Sequence, residues 1–153
     1  MSNPVYFSGI ISGDIDSIFV PNEQRYNRTY FAQHFGFPTD KLAIPEQVHS
    51  SVISLVKKPG NYFGADGLIT VCSNVILSLK VADCVPVYLY EPYSHMIGLI
   101  HAGWKSTALG IIPKSIKLMQ KNGAEIEFIK VYLGPAIGIC CYEVDEDVAM
   151  EFD

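Results

Sequence analysis

Two histidines and a cysteine, His49, Cys84 and His101, each stand at or near the end of an apolar, strand-like run, with a tight turn or a Gly/Pro breaker close by. Side chains placed there project from rigid elements. Cys84 and His101 fall in the dense segments "KVADCVPVYLYEP" and "IGLIHAGWKST", where polar pairs interrupt residues that otherwise read as buried strand. One thiolate and two imidazoles suffice to hold a single Zn²⁺ with a fourth position open for water or substrate, the ligand count of a catalytic zinc site. Zinc is therefore the expected cofactor, with copper second. Asp83, beside Cys84, is the expected carboxylate that orients His101 or His49.

The composition supports a small-molecule enzyme. A chain of 153 residues with 49% hydrophobic and 12% aromatic content fits one domain able to bury roughly 68–70% of its unfolded surface, so a metal would serve function rather than folding. The net charge of −5 with scattered Lys and Arg argues against backbone-driven binding of nucleic acid. Apolar stretches around Val75–Leu79 and Val85–Tyr90 are broken by Lys80, Asp83 and Glu91 well short of the roughly 20 residues a membrane span needs. The first residues, "MSNPVYFSGIISGDID", lack a basic region and a long apolar run, so the expected location is the cytoplasm. Cys72, Cys84, Cys140 and Cys141 show no CxxC spacing and are expected to be free thiols, with Cys140 and Cys141 packing as small hydrophobes.

The elements that must position the trio follow from periodicity. Val5–Ile11 and Ile15–Val20 read as a hairpin, followed by a helix from Pro21 or Asn22 to His34 that Gly36 ends. Strands are expected over Ser51–Lys57, turned back by Pro59-Gly60 toward "ADGLITV", and over Val75–Val81, Val85–Tyr90 and Met96–Ile100. A second helix falls between Thr107 and Lys121, kinked at Pro113 or starting late, with Gly123 as terminator. Ile126–Leu133 reads as a last strand, "GPAIGICCYEV" as a loop, and Asp145–Glu151 as a helix start. Strands in runs with few helices between them imply an α+β fold with mixed β-sheets and flanking helices. Neither a dinucleotide fingerprint nor a Walker loop is present.

The segments "EQVHSS", "ADGLIT", "VADCVPVYLYEP", "GLIHAGWKST" and "LGPAIGICCYEV", in this order, resemble the YfiH/laccase-domain family, also called multicopper polyphenol oxidases. The resemblance runs from about Phe7 to the last residue. It implies an α+β, cysteine-hydrolase-type fold with mixed sheets, and metal ligands at His49, Cys84 and His101. It also implies a zinc-dependent purine nucleoside phosphorylase that acts on adenosine, inosine and methylthioadenosine and deaminates adenosine. Residues 1–153 would then be one laccase-type domain lacking the C-terminal region with which family members continue. The Arg-Gly that commonly follows the His-Ala-Gly-Trp block is Lys105-Ser106 here.

Phosphorolysis needs an anion held in line with the anomeric carbon and stabilisation of the departing purine. Arg28 and Lys105 are the phosphate candidates, and Trp104 the surface on which a purine would stack. For deamination, a metal that lowers the pKa of water to about 7 would supply the nucleophile for the amino-bearing carbon. The expected partners are thus a purine nucleoside and phosphate, without nucleic acid or membrane. His34 and His95 read as cap and turn residues. Other readings are a copper polyphenol oxidase, a metal-free cysteine hydrolase with Cys84 as nucleophile and His101 as base, and a shortened, non-catalytic remnant. Four His in the chain are too few for a type 1 copper plus a trinuclear cluster.

Overall fold

The computed structural model describes residues 32–33 and 36–152. The hairpin expected over 5–20, most of the first helix, Arg28 and His34 lie outside the described residues. The helix end is visible: Gly36 adopts φ 72°, and the N–H groups of Gly36 and Phe37 donate to the carbonyls of Gln33 and Ala32 at 3.0 and 2.7 Å. This is the left-handed glycine stop expected from the sequence.

Mixed sheets with flanking helices make up the described residues. The strands are β1 (Leu42–Pro45), β2 (Ile53–Leu55), β3 (Gly60–Tyr62), β4 (Gly67–Thr70), β5 (Ile76–Leu77), β6 (Val85–Glu91), β7 (Met96–Ala102) and β8 (Lys130–Leu133). A five-stranded sheet runs β2-β4-β7-β6-β8, and a three-stranded parallel sheet runs β3-β1-β5. The helices are α1 (Trp104–Ala108), α2 (Ile111–Lys121) and α3 (Glu146–Ala149). None of the described helices is long and apolar enough to cross a membrane.

Three expectations are corrected. Pro59-Gly60 does not fold Ser51–Lys57 back as a hairpin: β2 and β4 are parallel, because the chain between them crosses to the other sheet as β3 and returns. The strand expected over Val75–Val81 shrinks to β5, and that over Ile126–Leu133 opens with a 3-10 turn, Ile126–Phe128. The helix expected between Thr107 and Lys121 starts late, at Ile111, which puts Pro113 in the first turn of α2 after the N-cap Gly110, where no intrahelical N–H bond is lost. Gly123 (φ 100°) ends α2 as expected.

Packing explains the rigidity of the central strands. On β4, Ile69 enters a cluster with Leu89, Ile100, Ile111 and Met119 on the α2 side, whereas Leu68 joins Ala43, Val56 and Val75 beside the smaller sheet. Both faces of this strand are covered, so it reads as continuously apolar. Each fully buried Leu, Ile, Val or Met among them is worth about 1.5–3 kcal/mol, and none of these residues is among His49, Cys84 and His101.

The β6–β7 hairpin determines where chemistry can occur. Its four-residue loop is tied by Glu91, whose buried carboxylate accepts N–H bonds from Tyr93 and Ser94 at 2.8 and 2.7 Å. His95, exposed with φ 55°, is a turn residue as expected. The register pairs Val85 with Ala102 and Pro86 with His101, which brings Cys84 and His101, 17 positions apart in sequence, to the same end of the hairpin.

Candidate metal centre

Three segments meet at that end of the sheet. Gly67 pairs with Ile100 across β4 and β7, so Asp66 lies beside His101, and the His101 N–H donates to the Asp66 carbonyl at 2.8 Å. Ile53 pairs with Gly67 across β2 and β4, so the loop before β2, which carries His49, arrives at the same edge. Gln47 ties this loop to the segment before Cys84: its side-chain amide donates to the Lys80 carbonyl at 2.5 Å and accepts from the Lys80 N–H at 2.8 Å.

The ligand-type atoms of His49, Cys84 and His101 converge within 4.8 Å of one another. Cys84 Sγ lies 3.9 Å from His49 Nε2, and the two imidazoles meet edge to face with centroids 4.8 Å apart. A tetrahedral ion with Zn–S near 2.3 Å and Zn–N near 2.0–2.1 Å would hold such atoms about 3.3–3.6 Å apart, so small rotations of these side chains suffice. The group can therefore hold a metal ion. His101 is buried, Cys84 half-buried and His49 exposed, which leaves one side open to solvent.

The carboxylate that bonds this group is Asp66, where the sequence had suggested Asp83. Asp66 is fully buried. Its Oδ1 accepts from His101 Nδ1 and from the His49 N–H, both at 2.9 Å. Its Oδ2 accepts from the N–H groups of Val48 and Ser50 at 3.1 and 2.7 Å and from the Ser50 hydroxyl at 2.9 Å. Gln47 and His49 have φ 62° and 57°, a left-handed conformation that costs a non-glycine residue about 1–3 kcal/mol. That backbone turns successive N–H groups inward as a cradle for an anion, and Asp66 fills it. Asp83, by contrast, is exposed, and among the described residues its carboxylate bonds neither imidazole. In the sequence "ADGLIT" read only as the start of a strand; the return of the Asp66 carboxylate to 48–50 and to 101 depends on tertiary pairing.

The electrostatics favour a cation. Burial would push the Asp66 carboxyl up, but hydrogen bonds from His101, Ser50 and His49 outweigh it and hold it below the ordinary carboxylate value. Burial pushes the Cys84 thiol up, aided by the charges of Asp83 and Asp66. A metal binding here would displace the thiol proton and neutralise this local negative charge.

A cavity of about 290 Å³ opens beside Cys84, walled by Asp83, Trp104, Thr107, Ile137, Tyr142 and Phe152 among others. Trp104 is 39% exposed, so it is part of a wall rather than a core plug. Lys105 is exposed on α1. All four cysteines are free. Cys140 and Cys141 are exposed with Sγ atoms 2.9 Å apart, so they do not pack as buried hydrophobes.

The sequence matches the family model described as multi-copper polyphenol oxidoreductase laccase over residues 20–153. It is 40% identical over 133 residues to purine nucleoside phosphorylase YlmD of Geobacillus stearothermophilus, covering 80% of this chain and 48% of that protein. It is 39% identical over 134 residues to a purine nucleoside phosphorylase of Deinococcus radiodurans, covering 86% and 52%. The fold is similar to the crystal structure of YlmD from Geobacillus stearothermophilus, with a TM-score of 0.78 at 38% identity over 82% of this chain and 50% of that one. The chain thus spans about half the length of the curated relatives it matches.

Proposed function

The chain belongs to the multi-copper polyphenol oxidoreductase laccase family, and from that membership together with its His-Cys-His centre we propose that it serves as a zinc-dependent purine nucleoside phosphorylase. Support comes from the relatives named for that activity. The observation that carries the reading is the convergence of His49, Cys84 and His101 within 4.8 Å, with the second nitrogen of His101 already engaged by Asp66. Three donors leave a tetrahedral ion one position for a reactant. The same donor set serves single-copper electron-transfer sites, but phosphorolysis exchanges bonds without electron transfer, which favours zinc.

In this reaction the bond from the anomeric carbon to the purine nitrogen breaks, and a phosphate oxygen bonds that carbon, giving free base and ribose 1-phosphate. When bound, the ion supplies positive charge at the reacting centre. Trp104, Tyr142 and Phe152 offer apolar and aromatic walls for a purine. Lys105 and Arg28 are the proposed phosphate contacts. Adenosine, inosine and methylthioadenosine are the proposed substrates, with deamination of adenosine as a second reaction at the same opening, in a cytoplasmic setting.

The metal-free cysteine hydrolase reading is weakened by Cys84 itself, because a nucleophilic thiol needs its pKa lowered and this one is raised. The test is release of free base and ribose 1-phosphate from inosine or adenosine by zinc-loaded protein, with and without phosphate, using this chain and any longer product of its gene. Phosphate-dependent release is expected. Zinc-loaded protein of both forms that frees no purine base from any common nucleoside would contradict the proposal.

A further inference from the structure

We propose that Asp66 is the positioning residue of the metal centre: one carboxylate selects the tautomer of His101 and fixes the loop that presents His49. The inference rests on the reading of His49, Cys84 and His101 as ligands, and deepens it. Through Oδ1, Asp66 accepts from His101 Nδ1, which places the ring proton on Nδ1 and leaves the Nε2 lone pair for an ion. The same oxygen accepts from the His49 N–H, and Oδ2 gathers the N–H groups of Val48 and Ser50 and the Ser50 hydroxyl. Both histidines therefore answer to one buried anion, although His101 stands on β7 and His49 on the loop before β2.

An amide cannot replace this carboxylate in either orientation. With its oxygen toward His101 and the His49 N–H, the amide nitrogen of an Asp66→Asn side chain faces the Val48 and Ser50 N–H groups, donor against donor. With the nitrogen toward His101, the ring must accept at Nδ1 and carry its proton on Nε2, which blocks the ligand atom. The first arrangement releases the left-handed loop at His49, and the second disables His101. Cys84 is untouched in both.

The test is cobalt(II) titration of the wild-type chain and of Asp66→Asn, followed by visible and near-ultraviolet absorption. The variant is expected to bind Co²⁺ about 10–100-fold more weakly. Its bound form should keep the thiolate-to-cobalt band but lose the intense visible bands of a four-coordinate site. Binding and spectra identical to wild type would overturn the inference. A wild-type chain that binds neither Co²⁺ nor Zn²⁺ would instead overturn the metal reading.

Nitrogen-15 NMR of the histidine rings in metal-free wild type, at a pH where His101 is neutral, tests the inference without a variant or a metal. A proton on Nδ1 with bare Nε2 is expected. A proton on Nε2 with bare Nδ1 would overturn the role assigned to Asp66 even if Asp66→Asn does not fold.

Discussion

Gly103 lies so close against His49 that a β-carbon built on it would sit 2.8 Å from His49 Cδ2 and 3.1 Å from Cys84 Sγ. The residue opposite Cys84 at the hairpin end must therefore lack a side chain for the His49 ring and the Cys84 thiol to occupy their places. Gly103→Ala is expected to weaken Zn²⁺ affinity by about tenfold or more, roughly 1.4 kcal/mol, because the ring or the thiol has to move away. Competition with a chromogenic chelator measures this, and circular dichroism checks that the fold is retained. An unchanged affinity would show that the two ligands relax freely.

Acid should loosen the centre through Asp66. Its pKa is lower in the folded chain than the ordinary value of 3.8, so the unfolded chain binds the proton more readily. The stabilisation from this group is then fully present above about pH 5 and is lost as pH falls through the folded value. Urea midpoints of the metal-free protein between pH 6 and pH 3 should fall at the acid end. The fall should be smaller in Asp66→Asn, which has no proton to gain there; equal slopes in the two proteins would count against this assignment.

Removing the metal should not unfold the domain. The cluster of Ile69, Leu89, Ile100, Ile111 and Met119 is built without His49, Cys84 or His101, so chelated protein should still unfold cooperatively. Added Zn²⁺ should raise the melting temperature by mass action, with about 2.7 kcal/mol of stabilisation at a free concentration 100 times Kd. Calorimetry with and without chelator checks this. Loss of the transition on chelation would make the centre structural.

The trio was legible in the sequence because each member breaks an apolar run at its end, and the β6–β7 hairpin was legible because both strands are long and bounded by "EPYSH". Gly36 and Gly123 announced helix ends for a local reason, their tolerance of positive φ. What escaped was non-local. The parallel pairing of β2 with β4 was hidden because Pro59-Gly60 looks like a hairpin turn, while the intervening β3 belongs to another sheet. Asp66 was hidden because its partners are 16–18 and 35 residues away, and Asp83 looked better placed only because it adjoins Cys84 in sequence.

Metal content measures the central claim most directly. Protein purified without added metal and analysed by elemental mass spectrometry is expected to hold close to one Zn²⁺ per chain. That content should drop to background in a Cys84→Ser, His101→Ala double variant that still folds, while Cys140→Ala, whose thiol is exposed and is not one of the trio, should keep it. Bound metal unchanged in the double variant would contradict the account.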